Sequence, residues 1–449
     1  MATEVERLAA FVAKMRFEDL SQEAVDALKI RVLDSLGCAL GALESPLIAM
    51  LRTHIEDFGG KASCTIIGDK KCAPDRAAFY NGALVRYLDF NDSFLAKHET
   101  CHPSDNLAAV LAATEYSKGS GKDFLLALAI AYQVQCRLSI DAPVRKKGFD
   151  HTTQGAFAAA AGVAKALNLS ADQIAHAIAI SAVSNNALRV TRTGALSHWK
   201  GLAFPHTAFS ATHAAFLALR GVTGPLEVFE GNKGFKETIS GPFQIEWEEQ
   251  DVELVRKTII KKYNAEIHSQ SALEGILELR NQISPAEIER IEVEIFDVAY
   301  HIIGGGEEGG KKLIRTKEEA DHSLPYMLAV ALLDGKVTPE QYTPERINRK
   351  DVQTLLQKIH IHPKKEFSDR FPDEMPVHIT INGHLTIDKT DYEGFFTRPM
   401  SWDHAVKKFI SLAGDRQDIV RAVARLEKIP ITTLTKLLRK KNAKHAKNE

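Results

Sequence analysis

Four short stretches of this chain collect the side chains that move protons and hold anions. The first is Leu88-Asp89-Phe90-Asn91-Asp92-Ser93, followed by Cys101-His102-Pro103-Ser104-Asp105-Asn106. The second, Gly148-Phe149-Asp150-His151-Thr152-Thr153, precedes an alanine-rich run. The third begins at Asn185-Asn186-Ala187-Leu188-Arg189 and continues to Ser197-His198-Trp199-Lys200-Gly201, so that Arg189, Arg192 and Lys200 fall in one expected loop. The fourth is Lys261-Lys262-Tyr263-Asn264-Ala265-Glu266-Ile267-His268-Ser269-Gln270. An imidazole titrates near neutral pH and serves as acid or base. Arginine grips a carboxylate bidentately, and lysine offers a compact charge. Each stretch also has a plain structural reading. Ser104 or Asp105 caps a helix, Asp92 caps a turn, Thr152 or Thr153 caps the next helix, His151 is a capping or core histidine, and loop cations are solvated.

Other arrangements carry less. His98 and His102 are spaced i, i+4, but Pro103 biases His102 away from helical geometry and disfavours a metal pair. Gly304, Gly306 and Gly309 satisfy a dinucleotide-loop spacing, yet Glu307 and Glu308 stand where a pyrophosphate would approach and no parallel βαβ unit is evident, so a loop is expected. Cys38, Cys64, Cys72, Cys101 and Cys136 form no C-x-x-C pair, which argues against a disulfide framework, a zinc ribbon or an iron-sulfur cluster. Cys101, beside His102, is read as an unreactive thiol.

The elements that must position these groups are mostly helical. The 449 residues exceed the usual size of one domain, and 45% hydrophobic with 26% charged residues is a globular mix. Lys plus Arg is 57 against 58 for Asp plus Glu, a formal charge of −1, so no whole-molecule field favours nucleic acid or an anionic membrane. Residues 1–15 lack the order of a signal peptide, and no run reaches the roughly 18 apolar residues of a membrane span. A cytoplasmic or organelle-matrix protein is expected. Ser21 opens a helix in which Val25, Leu28, Val32, Leu36 and Leu40 form one stripe. Helices are expected near 75–88, 104–117, 122–139, 152–167, 171–183 and 207–220, several of them alanine-rich and interior. After Lys262 the pattern alternates at 291–298 and 358–362, and 377–380 and 384–387 flank the hairpin dipeptide Asn382-Gly383. Helical spacing returns at 402–412 and 416–426, and 436–449 reads as a solvated basic end. The expected fold is mainly α: a large all-helical domain from 1–264, completed by 398–449, with a smaller inserted α+β domain at 265–397. The fourth polar stretch then lies at a domain boundary, where crevices favour ligands.

Read together, Y-L-D-F-N-D-S with H-P-S-D-N, G-F-D-H, N-N-A-L-R with S-H-W-K-G, K-K-Y-N-A-E-I-H-S-Q, and A-D-H-S-L-P-Y before A-L-L-D-G resemble the MmgE/PrpD family. That family contains 2-methylcitrate dehydratases, cis-aconitate decarboxylase and an iminodisuccinate epimerase. The resemblance covers most of the chain and implies a helical domain, a smaller α/β domain and a homodimer. It also implies catalytic roles for Asp89, His102, His151 and Lys200, with Ser93 as a nearby hydroxyl. The fourth stretch resembles the dehydratases' Y-P-A-E-x-H-A-Q, which places Glu266 and His268 at the substrate. This chain differs in having Asn264 where proline is usual, Ser323 where cysteine is frequent and Ser93 where threonine is typical.

The expected chemistry is dehydration of 2-methylcitrate or a close tricarboxylate. One group removes a C–H proton beside a carboxylate, another protonates the departing hydroxyl, and cations hold the carboxylates. His102 and His151 are the acid/base candidates, with Asp89 orienting one of them. Arg192, Lys200, Lys261 and His268 are candidates for the carboxylates. The scheme needs neither cofactor nor metal. The alternatives are a decarboxylase or epimerase of the same family, a metal-dependent hydrolase on a helical bundle, or a non-catalytic binding protein.

Overall fold

Local caps set where the helices begin. In this computed structural model, which describes residues 2–194, 196–307 and 309–439, Ser21 Oγ accepts from the Ala24 N–H to start Gln22–Gly41. Thr3 with Glu6, Ser120 with Asp123 and Ser170 with Gln173 form capping boxes ahead of Glu4–Lys14, Gly121–Asp141 and Ala171–Ser184. The chain is mainly α. It divides into two compact units, one of residues 1–191, 198–258 and 401–449, the other of 192–197 and 259–400. The sequence reading drew these divisions at 264/265 and 397/398.

The first unit contains α1 (Glu4–Lys14), α2 (Gln22–Gly41), α3 (Pro46–Phe58), α4 (Pro74–Tyr87), α5 (Leu107–Ser117), α6 (Gly121–Asp141), α7 (Thr152–Ala166), α8 (Ala171–Ser184) and α9 (Trp199–Leu219). Two small antiparallel ribbons interrupt them, β1 (Cys64–Thr65) with β2 (Lys71–Cys72) and β3 (Phe94–Ala96) with β4 (Glu99–Cys101). α7 is buried along almost its whole length and packs against α5, α6, α8 and α9. Its small residues permit this: a Cβ at Gly162 would lie 2.9 Å from the Ala131 side chain on α6. The C-terminal helix Trp402–Ala413 packs on α2, so both ends of the sequence build this unit. α6 is long and apolar enough by composition to cross a membrane, which a search for uninterrupted apolar runs overlooks, and most of it is buried inside the protein.

The second unit is built on a four-stranded sheet of β5 (Ile291–Ile295), β6 (Ile359–Pro363), β7 (Val377–Ile381) and β8 (Leu385–Lys389), in the order β6-β5-β7-β8. β5 alternates buried and half-buried residues, and α10 (Gln270–Leu279) packs against β7 and β8. Asn382 and Gly383 take φ of 51° and 75°, the left-handed pair that a tight hairpin requires.

Three expectations need correction. α9 begins at Trp199, eight residues before the expected start, and carries Pro205 inside it. Lys200 is therefore on the first turn of a helix and not in a loop. Part of the expected solvated tail, Lys436–Leu438, belongs to the helix Ile431–Leu438, whose Leu434 and Leu438 are fully buried; 440–449 lie outside the described residues. β5 and β6 are parallel, contrary to the reading that no parallel unit surrounds the glycine run. The run still opens no helix: Tyr300–Gly304 is a π turn ahead of an irregular segment, and Glu308 lies outside the described residues.

Candidate active site

The first unit gathers the first two polar stretches and Lys200. α4 ends at Tyr87, and Asp89 follows in the left-handed region with φ of 52°, a conformation that aspartate tolerates better than most residues. Its carboxylate is held by cations. Arg86 Nη1 donates to Asp89 Oδ1 at 2.6 Å, and Lys200 Nζ lies 3.3 Å from Oδ2. Arg86 Nη1 also donates to Asn91 Oδ1 at 3.1 Å, and Asn91 Nδ2 donates to Ser104 Oγ and Asp105 Oδ1 at 2.9 Å each. All of these side chains are buried. A lysine in the first turn stands against the helix dipole, and the Asp89 carboxylate offsets that.

His102 follows β4 directly and is buried. Its Nδ1 is 2.9 Å from the main-chain carbonyl of Asp92 and 3.0 Å from Ser93 Oγ. A carbonyl only accepts, so Nδ1 carries the proton and, in the neutral ring, Nε2 holds the lone pair. Ser93 Oγ then accepts from the same N–H. The Asp92 carboxylate accepts from the Ser104 N–H at 3.0 Å through Oδ1 and from the Tyr132 hydroxyl at 2.8 Å through Oδ2. Burial pushes the Asp92 carboxyl up from its ordinary range, against the pull of its Ser104 and Tyr132 hydrogen bonds. Burial also pushes the Tyr132 phenol well up, with the Asp92 charge adding to it.

His151, the residue ahead of α7, brings its ring to 5.3 Å from that of His102, centroid to centroid, in an edge-to-face arrangement. It also stacks on Phe204 of α9 at 6.3 Å. Its Nε2 is 3.8 Å from Asp150 Oδ1, and Asp150 Oδ2 is 3.9 Å from Arg189 Nη1. Two buried imidazoles are thus in contact, and the same unit holds a lysine and an arginine that share one carboxylate; imidazole is a group able to give or take a proton near neutral pH.

The second unit holds Lys261, Glu266 and His268, all buried. Glu266 accepts from the His268 N–H at 2.8 Å and is 2.7 Å from His268 Nδ1, which fixes the ring with Nδ1 toward the carboxylate. His268 Nε2 is buried with no hydrogen-bond partner among the described residues. Phe296 and Phe371, stacked on each other at 4.6 Å, lie 5.8 and 5.7 Å from the ring. Burial opposes ionisation of Glu266, but the charges of His268, His322 and Lys261 and the His268 hydrogen bond hold its carboxyl down at about 2. Asp321, beside it, lies 2.9 Å from Lys317 Nζ and 2.6 Å from His322 Nδ1.

Of the sequence candidates, Asp89, Ser93, His102, His151 and Lys200 belong to the first unit, and Lys261, Glu266 and His268 to the second. Arg192 is half-buried at the end of the 3-10 turn Arg189–Arg192 and groups with the second unit. The Asp89 carboxylate is held by Arg86 and Lys200, and the His102 ring is held by the Asp92 carbonyl and Ser93. His98 is exposed in the turn between β3 and β4, so the i, i+4 histidines share no helix. All five cysteines are buried, and none of them is in a disulfide. Sequence reasoning missed Arg86, Asp105, Asn91 and Tyr132 as partners. Arg86 was findable, since it precedes Asp89 by one helical turn; Tyr132, 40 positions from Asp92, was not.

Two family models match the chain, the MmgE/PrpD N-terminal domain over residues 6–248 and the MmgE/PrpD C-terminal domain over 263–428. The chain is similar to the 2-methylcitrate dehydratase of Salmonella typhimurium, 28% identical over 411 residues, covering 85% of this chain and 82% of that protein. A mitochondrial 2-methylcitrate dehydratase of Yarrowia lipolytica is 27% identical over 83% of this chain and 76% of its own length. The cis-aconitate decarboxylase of Mus musculus is 25% identical over 97% of this chain and 93% of its own.

Proposed function

Because the chain belongs to the MmgE/PrpD family, we propose that it dehydrates 2-methylcitrate, or a close tricarboxylate, to 2-methyl-cis-aconitate by acid/base catalysis without a metal. At family level it is a carbon–oxygen lyase with a dehydratase role acting on a small carboxylate. The observation that carries the finer reading is the contact of His102 with His151 at 5.3 Å. Elimination needs a base and an acid within one substrate's reach, and two imidazoles supply both near neutral pH. His102 takes the C–H proton on Nε2, the nitrogen its Nδ1 bond leaves with the lone pair, and His151 as imidazolium protonates the leaving hydroxyl. Water is released, and the alkene forms from the electrons of the broken C–H bond. Lys200, held against Asp89, steadies the carboxylate next to the carbon that loses its proton. Substrate-binding roles for Ser93, Glu266 and His268 belong to the same proposal and rest on the motif resemblance, as does a homodimer; Arg192 and Lys261 are proposed for the carboxylates because of their charge, and a cytoplasmic location is proposed with them.

A second reading, decarboxylation of cis-aconitate, is favoured by one observation: the mouse decarboxylase matches nearly the full length of both chains. Incubation with 2-methylcitrate, citrate, cis-aconitate and iminodisuccinate, with products identified by mass and NMR and carbon dioxide measured, separates them. Water loss from 2-methylcitrate with full activity in chelator supports the proposal. Carbon dioxide from cis-aconitate without dehydration of either hydroxy acid overturns it, as does epimerised iminodisuccinate as the sole product.

A further inference from the structure

We propose that Asp92 and Tyr132 are positioning residues that fix the tautomer and place of His102, an inference that rests on His102 being a proton-transfer group. Asp92 grips the histidine segment at two points. Its main-chain carbonyl takes the His102 Nδ1 proton at 2.9 Å, and its carboxylate takes the N–H of Ser104, two residues further on, at 3.0 Å. The residues before β3 and after β4 are thereby tied across the open end of the ribbon, whose register pairs Phe94 with Cys101. The remaining carboxylate oxygen accepts from the Tyr132 hydroxyl at 2.8 Å. Tyr132 sits midway along α6 and is fully buried, as is Asp92. A rigid helix therefore anchors a carboxylate that anchors a carbonyl, and the carbonyl decides which imidazole nitrogen carries the lone pair in the neutral ring. Neither side chain needs to touch substrate. Such outer contacts set the basicity and aim of the group they support, and small misplacements of a proton-transfer group are costly.

The test uses full-length protein labelled with 15N-histidine, with a His102→Gln variant to assign the resonance, beside steady-state kinetics on 2-methylcitrate. In the wild type His102 should be the Nδ1–H tautomer. Tyr132→Phe keeps the ring and removes the tether; it should yield mixed tautomers and a kcat about tenfold lower, with KM within about twofold. Asp92→Asn keeps an acceptor for Ser104 but turns an amide N–H toward the Tyr132 oxygen, whose own O–H then loses its acceptor, so it should fall between wild type and Asp92→Ala in both readouts. Asp92→Ala should lose more than Tyr132→Phe. A wild-type His102 protonated on Nε2 overturns the proposal. So does a Tyr132→Phe variant with the wild-type tautomer and kcat. If the wild type turns over none of the acids, the dehydratase reading falls, and the tautomer in wild type and Tyr132→Phe still decides the positioning role.

Discussion

Lys408, near the end of the chain, donates from Nζ to the carbonyl of Phe90 at 2.8 Å and lies 3.7 Å from the centroid of its ring, across 318 positions of sequence. The same ammonium is 2.6 Å from Asp34 Oδ1 on α2. Phe90 is the neighbour of Asp89, so a C-terminal helix clamps the turn that presents the carboxylate. Burial pushes the Asp34 carboxyl up, and the Lys408 charge opposes that. Lys408→Met should therefore cost about 3 to 5 kcal/mol, the usual result of leaving one buried charge without its partner. Chemical denaturation measures it. Asp34→Asn with Lys408→Met should recover part of that loss, and a double variant no more stable than Lys408→Met would sink the account.

Replacing His102 by alanine should reduce kcat by at least about 10²-fold, the lower end of what a general acid or base supplies. The folded state should persist, because the Asp92–Tyr132–Ser104 contacts do not use the imidazole. Circular dichroism and melting temperature check the fold, and initial rates check the chemistry.

Lys200→Met removes a cation from Asp89 but leaves Arg86 in place. The expected loss is about 10- to 100-fold in kcat/KM, the worth of a hydrogen bond to a charged group. A change confined to stability, with kcat/KM intact, would assign Lys200 to structure alone.

Glu266 has a carboxyl held at about 2 against an ordinary value of 4.5. A depressed folded-state value contributes stability that is fully present above pH 4.5 and is lost as the pH falls toward 2. That contribution is on the order of 3 kcal/mol. Glu266→Gln should thus be less stable than wild type at pH 7, and the gap should close by pH 2. Urea titrations at several pH values would reveal a pH-independent gap if the pair with His268 is not ionic.

Gly121 opens α6 where its N–H donates to the Ile429 carbonyl at 2.8 Å. A Cβ there would lie 1.8 Å from the Leu426 carbonyl oxygen. Gly121→Ala should displace the C-terminal helices and destabilise the first unit by about 1 to 3 kcal/mol. Gly148→Ala, where a Cβ meets nothing within 4 Å, tests backbone strain at positive φ without a clash.

Most helices of the first unit, though not α1 or α3, were legible because alanine and leucine periodicity and Ser or Thr caps are local signals, and Asn382-Gly383 located its hairpin for the same reason. α9 was read short because Pro205 falls inside it, and a proline usually ends a helical pattern. Packing overrides that here: Gly82 of α4 brings its backbone against Pro205, where a Cβ would be 3.4 Å from the proline Cα. The parallel β5–β6 pair was hidden by short strands and a long crossover. At the site, residue types pointed to His102 and His151, but the groups that aim them did not announce themselves. The Asp92 carbonyl is main chain, which carries no residue-type signal, and Tyr132 approaches from a distant helix.

The first unit takes its last helices from 402–438, after the whole of 259–400 has intervened. On the ribosome, the polypeptide therefore emerges with α2 exposed long before Lys408 exists to neutralise Asp34 and brace Phe90. Since domains tend to fold as they are synthesised, nascent chains halted before residue 401 should carry both histidines yet hold them in an unfinished, protease-sensitive intermediate.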